Sequence, residues 1–334
     1  MNKKLFFGAA FLGMMTLILA PAAQAAGPKK MRLTHQFPET HFVAQVVKEF
    51  AQDVAQKTKG GVTVEVYPAS QAYKPQEVIK AVVSGAIEAG MTTNMQWSGI
   101  IPVMDIFVVP YLITEYKVVQ EVLNGEVGAE LFGLMEKKGV KPLMWTFQTR
   151  TMIYTSNDKP LIMPADFKGK KMRGTSKIMN KGVEALGATP MTVAGPEVYM
   201  ALQRGTLDIG LTDVSAALAR HYYEIQKYGT VSNDFSVTFM AFLNPNFWKS
   251  LSSEEQVALN TAALVAQARC LAKSETSARQ SIDELKKKGM QIHMQTPAEA
   301  QAWEKAMAPV LAYFVETTGP QGKKLVDMVQ KIKK

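Results

Sequence analysis

The stretch KMRGTSKIMNKGVEALGATPMTVAGPEVYMALQRGTLDIGL, Lys171 to Leu211, decides how the rest of the chain is read. Its periodicity runs strand, helix, strand, helix, strand, with Arg173 at the end of the first strand. The second half has an echo upstream. Glu197, Val198, Ala201, Gly205, Asp208 and Gly210 repeat the spacing of Glu77, Val78, Ala81, Gly85, Glu88 and Gly90, with only one acid exchanged for the other. A repeated helix, glycine stop and short strand predicts two related α/β lobes in one chain. Two lobes make a cleft, and a cleft is where a small molecule binds.

Upstream, the pattern predicts a strand at Met31–His35 and a helix capped by Thr40. That helix carries Phe42, Val43, Val46, Val47, Phe50 and Val54 on one face and stops at Gly60-Gly61. A strand at Val62–Tyr67, a helix opened by Pro75 and a strand at Ile87–Met91 complete a βαβαβ unit, which builds a parallel sheet. One helix is expected over residues 115–138. The alternation over Pro142–Tyr154, with Gln148, Arg150, Met152 and Tyr154 on one side, predicts a long strand passing between lobes. Val237–Leu243 is expected to cross back.

Residues 253–288 form the longest helical pattern, with a capping box at Ser252 and Glu255, Gly289 as stop, and a stripe of Val257, Leu264, Leu271 and Leu285. At about 1.5 Å per residue such a helix is about 54 Å long, enough to run across both lobes as a spine. Helices at residues 297–318 and 321–333 finish the chain. The expected division is 26–149 with 237–277 for one lobe and 150–236 with 278–334 for the other.

Lys3 and Lys4, the apolar run Leu5–Ala20 and the small-residue site Ala23-Gln24-Ala25 predict a secretory signal peptide over residues 1–25. No later segment has the length and apolarity of a membrane span. The single cysteine, Cys270, excludes an internal disulfide and reads as a small buried hydrophobe in a helix. Export of such a chain points to the periplasm. The net charge is +9, and removing Lys3 and Lys4 leaves +7. That balance suits anionic ligands, and no aromatic-basic pattern points to nucleic acid. The four histidines show no metal-ligand spacing, and there is no GxSxG, phosphate loop or GxGxxG. No metal, nucleotide or other cofactor is expected.

An ordered series of motifs carries a resemblance. Asp166–Arg173 (DFKGKKMR) looks like "LKGLKIR" and Leu186–Pro190 (LGATP) like "LGANP". Glu197–Asp208 (EVYMALQRGTLD) looks like "E-L/V-Y-x-A-L-Q-x-G-x-x-D", and Tyr223–Tyr228 (YEIQKY) like "YEVQKY". Tyr67–Gln71 and Val109–Leu112 match "FPxSQ" and "LPYL". Together they resemble the solute-binding proteins of tripartite ATP-independent periplasmic (TRAP) transporters over nearly all of the mature chain. The fold expected is α/β, a two-lobed, type II-like periplasmic-binding-protein fold with crossing strands and a long helix spanning both lobes.

In that family the arginine ending "LKIR" grips the ligand carboxylate through two hydrogen bonds, and Arg173 stands at that position. The chemistry fits, because guanidinium is planar, permanently charged and matched to a carboxylate. By itself, an arginine at a strand end is more often a surface charge. A second family arginine falls at Met152 here, with Arg150 two residues earlier. The family's asparagine falls at Thr212, beside Asp213, and an aromatic before "EVY" is replaced by Gly195. These departures imply a pocket shaped differently from those for sialic acids or simple dicarboxylates. Thr93, Asn94 and Trp97 follow the first βαβαβ unit, where an open sheet places ligands. They are candidates for the other wall, although Trp97 also suits plain packing. Gln71 and Tyr199 are further candidates, each also able simply to hold its turn or helix.

The expected function is a periplasmic, monomeric receptor that closes on a small organic acid and delivers it to two integral membrane permease subunits driven by an ion gradient. The alternatives are a receptor for an ATP-driven importer and an exported two-domain enzyme acting on an organic acid.

Overall fold

The first lobe is built on the parallel unit that the N-terminal periodicity predicts. The computed structural model describes residues 27–334, so the signal peptide expected over residues 1–25 lies outside the described residues. Strand β1 (Lys29–Thr34) lies between β2 (Val62–Tyr67) and β3 (Ala89–Thr93), parallel to both. Helix α1 (Phe42–Lys57) buries Val43, Val46, Val47, Phe50 and Val54. Its cap is His41 rather than Thr40, because the His41 Nδ1 accepts the Val43 N–H at 3.2 Å. Helix α2 (Val78–Val83) starts after Pro75, which stands in the preceding turn, and α3 (Asn94–Ser98) follows β3 directly.

The helix expected over 115–138 is two helices, α4 (Tyr116–Asn124) and α5 (Glu126–Glu136). Gly125 between them is extended, with φ −106° and ψ −161°, and breaks the run. The long strand expected at 142–154 is likewise interrupted. Strand β4 (Lys141–Thr149) belongs to the first sheet and β5 (Met152–Ser156) to the second. At the break the Thr151 N–H turns to the Thr149 hydroxyl at 2.8 Å instead of a neighbouring strand.

The second lobe repeats the plan. Strands β6 (Lys171–Gly174) and β7 (Thr189–Thr192) are parallel, joined by α6 (Lys177–Ala185). Helix α7 (Val198–Gln203) leads to β8 (Gly210–Asp213), and Ile209 bridges to Met172 in parallel, as Ala89 pairs with Leu33 in the first lobe. The shared glycine of the echo has a packing reason in each copy. A Cβ at Gly90 would sit 2.4 Å from Val78 of α2, and one at Gly210 would sit 2.9 Å from Leu202 of α7. Only glycine lets each helix come that close to its strand. In this correspondence Arg173 takes the place of Thr34.

Helix α8 (Val214–Ala219) leads to β9 (Tyr228–Ser232), from which the chain crosses back into β10 (Val237–Leu243). The first sheet therefore runs β2-β1-β3-β10-β4, with β10 antiparallel to β3 and β4. After α9 (Pro245–Ser250) comes α10 (Ser253–Lys287), then β11 (Gln291–Met294), which completes the second sheet in the order β11-β9-β5-β8.

Helix α10 packs on α1 and β4 of the first lobe and on α8 and β11 of the second, which makes it the expected spine. Of the expected stripe, Leu271 and Leu285 are buried and the N-terminal half is not. Val257 and Leu264 are exposed, whereas Leu259, Ala262, Ala263 and Ala266 are buried and their small side chains allow close approach to α1 and β4. Gln267 accepts the Trp145 N–H at 2.9 Å, and the Cys270 thiol donates to the Phe147 carbonyl at 3.2 Å. Burial pushes that thiol up to about 12. The helix expected over 297–318 breaks where Pro309, lacking an N–H, separates α11 (Pro297–Met307) from α12 (Pro309–Lys333), and α12 is itself kinked at Gly319 (φ 63°, ψ −149°), just before the last helix expected at 321–333. Helix α12 packs against α4, α5 and α6 and so touches both lobes. Among the described residues no helix is long and apolar enough to cross a membrane.

Candidate functional site

Arg173 sits one residue from the end of β6, where the second lobe faces the first. Its Nε donates to the Val193 carbonyl at 3.0 Å and its Nη1 to the Leu211 carbonyl at 2.6 Å. These bonds fix the guanidinium plane and leave the far edge, formed by Nη1 and Nη2, for a partner. The side chain is buried, and among the described residues it forms no ion pair. Burial lowers its pKa to about 10, a direction that the nearby Arg220 reinforces and that Tyr222 and Asp213 oppose. Carrying a buried cation without a protein counterion is costly, so such a group calls for an anion.

Thr212 and Asp213 end β8 beside the Leu211 carbonyl that orients Arg173. Asp213 does not offer itself to a ligand. Its Oδ1 caps α8 by accepting the Ser215 and Ala216 N–H groups at 3.0 Å each, and its Oδ2 accepts the Gln148 amide. From the first lobe His41 reaches across, its Nε2 3.8 Å from Asp213 Oδ1 and outside hydrogen-bond range. Because its Nδ1 accepts a backbone N–H, the neutral ring carries its proton on Nε2. Burial depresses its pKa and keeps it neutral, against the pull of Asp213. Phe37 stacks on His41 at 4.5 Å and tilts against Phe239 at 4.4 Å, which holds the ring in place. Tyr222 adds a buried hydroxyl with no hydrogen-bond partner among the described residues.

The other sequence candidates are engaged within the protein. Arg150 gives Nε and Nη2 to the two oxygens of Glu275 at 2.9 and 3.0 Å, and Nη1 to the Thr114 carbonyl. All three nitrogens are engaged, which takes it out of the group around Arg173. Thr93 caps α3 in a capping box with Gln96, and Asn94 is held by the Met104 carbonyl and the Thr238 N–H. Trp97 is fully buried in the first lobe, edge-on to Phe242 at 5.0 Å. Gln71 is exposed, and the Tyr199 hydroxyl binds Glu224 at 3.0 Å. Sequence reasoning missed His41, Gln148, Arg220 and Tyr222. A histidine placed to cap α1 and an arginine closing the short apolar run of α8 were the available signals.

The profile of "bacterial extracellular solute-binding protein, family 7" (DctP) matches residues 33–318. The chain belongs to that family. A family member from Rhodobacter capsulatus, the C4-dicarboxylate-binding periplasmic protein DctP, is 32% identical over 320 residues, covering 93% of this chain and 94% of that protein. A TRAP periplasmic solute binding protein from Sulfurospirillum deleyianum, with bound succinate, superposes with a TM-score of 0.86 at 26% identity. It covers 92% of this chain and 100% of the other. A second, from Desulfovibrio salexigens with bound orotic acid, gives 0.85 at 26% identity, covering 91% and 98%. The sheets, the crossing strands and the spine helix of this family 7 chain are thus those of the TRAP solute-binding fold.

Proposed function

We propose that this family 7 protein is a periplasmic receptor that captures a small organic acid between its lobes and hands it to a TRAP-type membrane permease. The observation that carries this is Arg173: a buried guanidinium, held flat by two backbone carbonyls, with one edge free and no protein carboxylate against it. A ligand carboxylate completes that edge bidentately. His41 Nε2–H and the Tyr222 hydroxyl are suited to bind the same ligand from either side. The TRAP relatives with bound succinate and orotic acid support the class of ligand. Binding without turnover, a monomeric state, residence in the periplasm and transfer to two membrane subunits are parts of this reading.

Calorimetry tests it. Arg173→Ala is expected to reduce affinity for the carboxylate that wild type binds by about thirtyfold or more, with the thermal unfolding curve retained. Unchanged affinity overturns the anchor, and conversion of the bound acid into a product overturns the receptor. Mass spectrometry of ligand released from purified protein would name the acid.

A further inference from the structure

We propose that Asp234 is the joint of the receptor: the lobes turn about this residue, whose backbone is tied to the first lobe and whose carboxylate is tied to the second. This deepens the receptor reading and rests on it, because a joint affects binding only if the lobes close on the acid.

The return crossing from β9 to β10 is made by residues 233–236. Up to Ser232 the chain belongs to the second sheet. By Ser236 it is fixed to the first lobe, since the Ser236 N–H donates to the Phe107 carbonyl at 3.1 Å and its hydroxyl to the Ile113 carbonyl. The change of lobe is therefore confined to Asn233, Asp234 and Phe235. Within that span Asp234 is held from both sides. Its carbonyl accepts the Tyr111 N–H of the first lobe at 2.9 Å. Its carboxylate accepts the Ser232 hydroxyl at 2.5 Å and the Tyr154 hydroxyl, from β9 and β5 of the second lobe. Between the Tyr111 bond and the Tyr154 bond lie only the backbone and side-chain torsions of Asp234 itself. A rotation of one lobe against the other is absorbed by those torsions or breaks one of the bonds, which is the position of a hinge residue.

Two features of the joint are costly, and both set geometry. Asp234 is a fully buried carboxylate that forms no ion pair among the described residues, and burial raises its pKa against the hydrogen bonds from Ser232 and Tyr154. An apolar side chain would fill the same space at less cost, but without the direction that hydrogen bonds to a carboxylate impose. Tyr111 has a left-handed backbone, φ 58°, which a non-glycine residue adopts only when its surroundings hold it there. Here both of its backbone groups are held, the N–H by Asp234 and the carbonyl by Lys333 Nζ at 3.0 Å, at the end of the helix that touches both lobes. The crossing from β4 to β5 is braced differently, through Arg150 to Thr114 and to Glu275 of the spine helix. All of the Asp234 contacts are within the protein, so it is a positioning residue that acts on the acid through the lobes.

The test is a double-mutant cycle read in ligand affinity, by calorimetry and stopped-flow fluorescence of the whole protein with succinate. Where succinate gives no heat with wild type, the acid released from purified protein takes its place. Tyr154→Phe keeps the ring against Phe167 and Trp303 and removes only the hydroxyl, so it retains the fold. Tyr154→Phe and Asp234→Ala are each expected to weaken binding by about tenfold, mainly through faster release. The double variant should be no weaker than the weaker single variant, because both remove one bond. Asp234→Asn, which keeps an acceptor for Tyr154, should recover most of the loss. If both single variants are less stable in urea yet bind within about threefold of wild type, Asp234 only holds the fold and the joint is wrong. Losses of affinity that simply add would also overturn it. If the acid binds wild type without compaction in small-angle X-ray scattering, the lobes do not close and the joint falls, while Arg173→Ala still decides the anchor. If Arg173→Ala binds as wild type does and the coupling between Asp234 and Tyr154 holds, the anchor is wrong and the joint stands.

Discussion

Three arginines near the cleft are chemically identical, and their surroundings give them different work. Arg173 is held by carbonyls and keeps an edge for an anion, Arg220 lies on glycine, and Arg150 is saturated by Glu275 and Thr114. The Arg150 pair ties the break between β4 and β5 to α10, so it belongs to stability. Arg150→Ala is expected to cost about 1–2 kcal/mol in urea unfolding, since both side chains are partly exposed. Ligand affinity should stay within about threefold of wild type. A loss of affinity comparable with that of Arg173→Ala would return Arg150 to the site. Nothing in the sequence separates these roles, because each depends on partners 20 to 125 residues away or on the space beside a glycine. The resemblance located Arg173 because a motif surrounds it, and it passed over Arg220 because no motif does.

Elements were more legible than side chains. The spine helix was expected at 253–288 and runs Ser253–Lys287, because a capping box and a terminal glycine are local signals. The N-terminal half of its buried face was misread, since close packing there selects alanines that carry little apolar weight, whereas Leu271 and Leu285 are buried as expected. One contact between elements yields a pH prediction. Asp105, in the 3-10 turn Pro102–Val108 of the first lobe, points at the start of α6 in the second, where its Oδ2 accepts the Ile178 N–H at 3.4 Å. Burial raises its pKa to about 7 from an ordinary 3.8, although hydrogen bonds from Ser176, Ser98 and the Ile178 N–H oppose this. The folded, lobe-packed state therefore binds the proton more tightly than the unfolded chain. The contact favours folding most below pH 4 and loses that advantage as pH rises from about 4 to about 7. Asparagine imitates the protonated acid at every pH. The stability of Asp105→Asn minus that of wild type should be near zero at pH 4 and grow to on the order of 2–4 kcal/mol by pH 8. A difference independent of pH in parallel urea titrations would show that Asp105 keeps an ordinary pKa.

At the scale of the molecule, two copies of one plan face each other, and the residues proposed to bind are where the copies differ. Thr34 in the first lobe corresponds to Arg173 in the second, and the first lobe answers with His41 at the start of α1. A ligand held this way touches segments far apart in sequence, near residues 37–43 and 193–222. Hydrogen–deuterium exchange is expected to slow in both segments when the preferred acid is added, with the middle of α10 unchanged. The accompanying stabilisation should be about 2.7 kcal/mol at a ligand concentration one hundred times Kd, read as a rise in the unfolding midpoint. Protection confined to 193–222 would mean that the acid sits on the second lobe alone. His41 would then be a helix cap and nothing more, and closure of the lobes would need a cause other than the ligand, since a ligand shifts only those equilibria whose two states it binds differently.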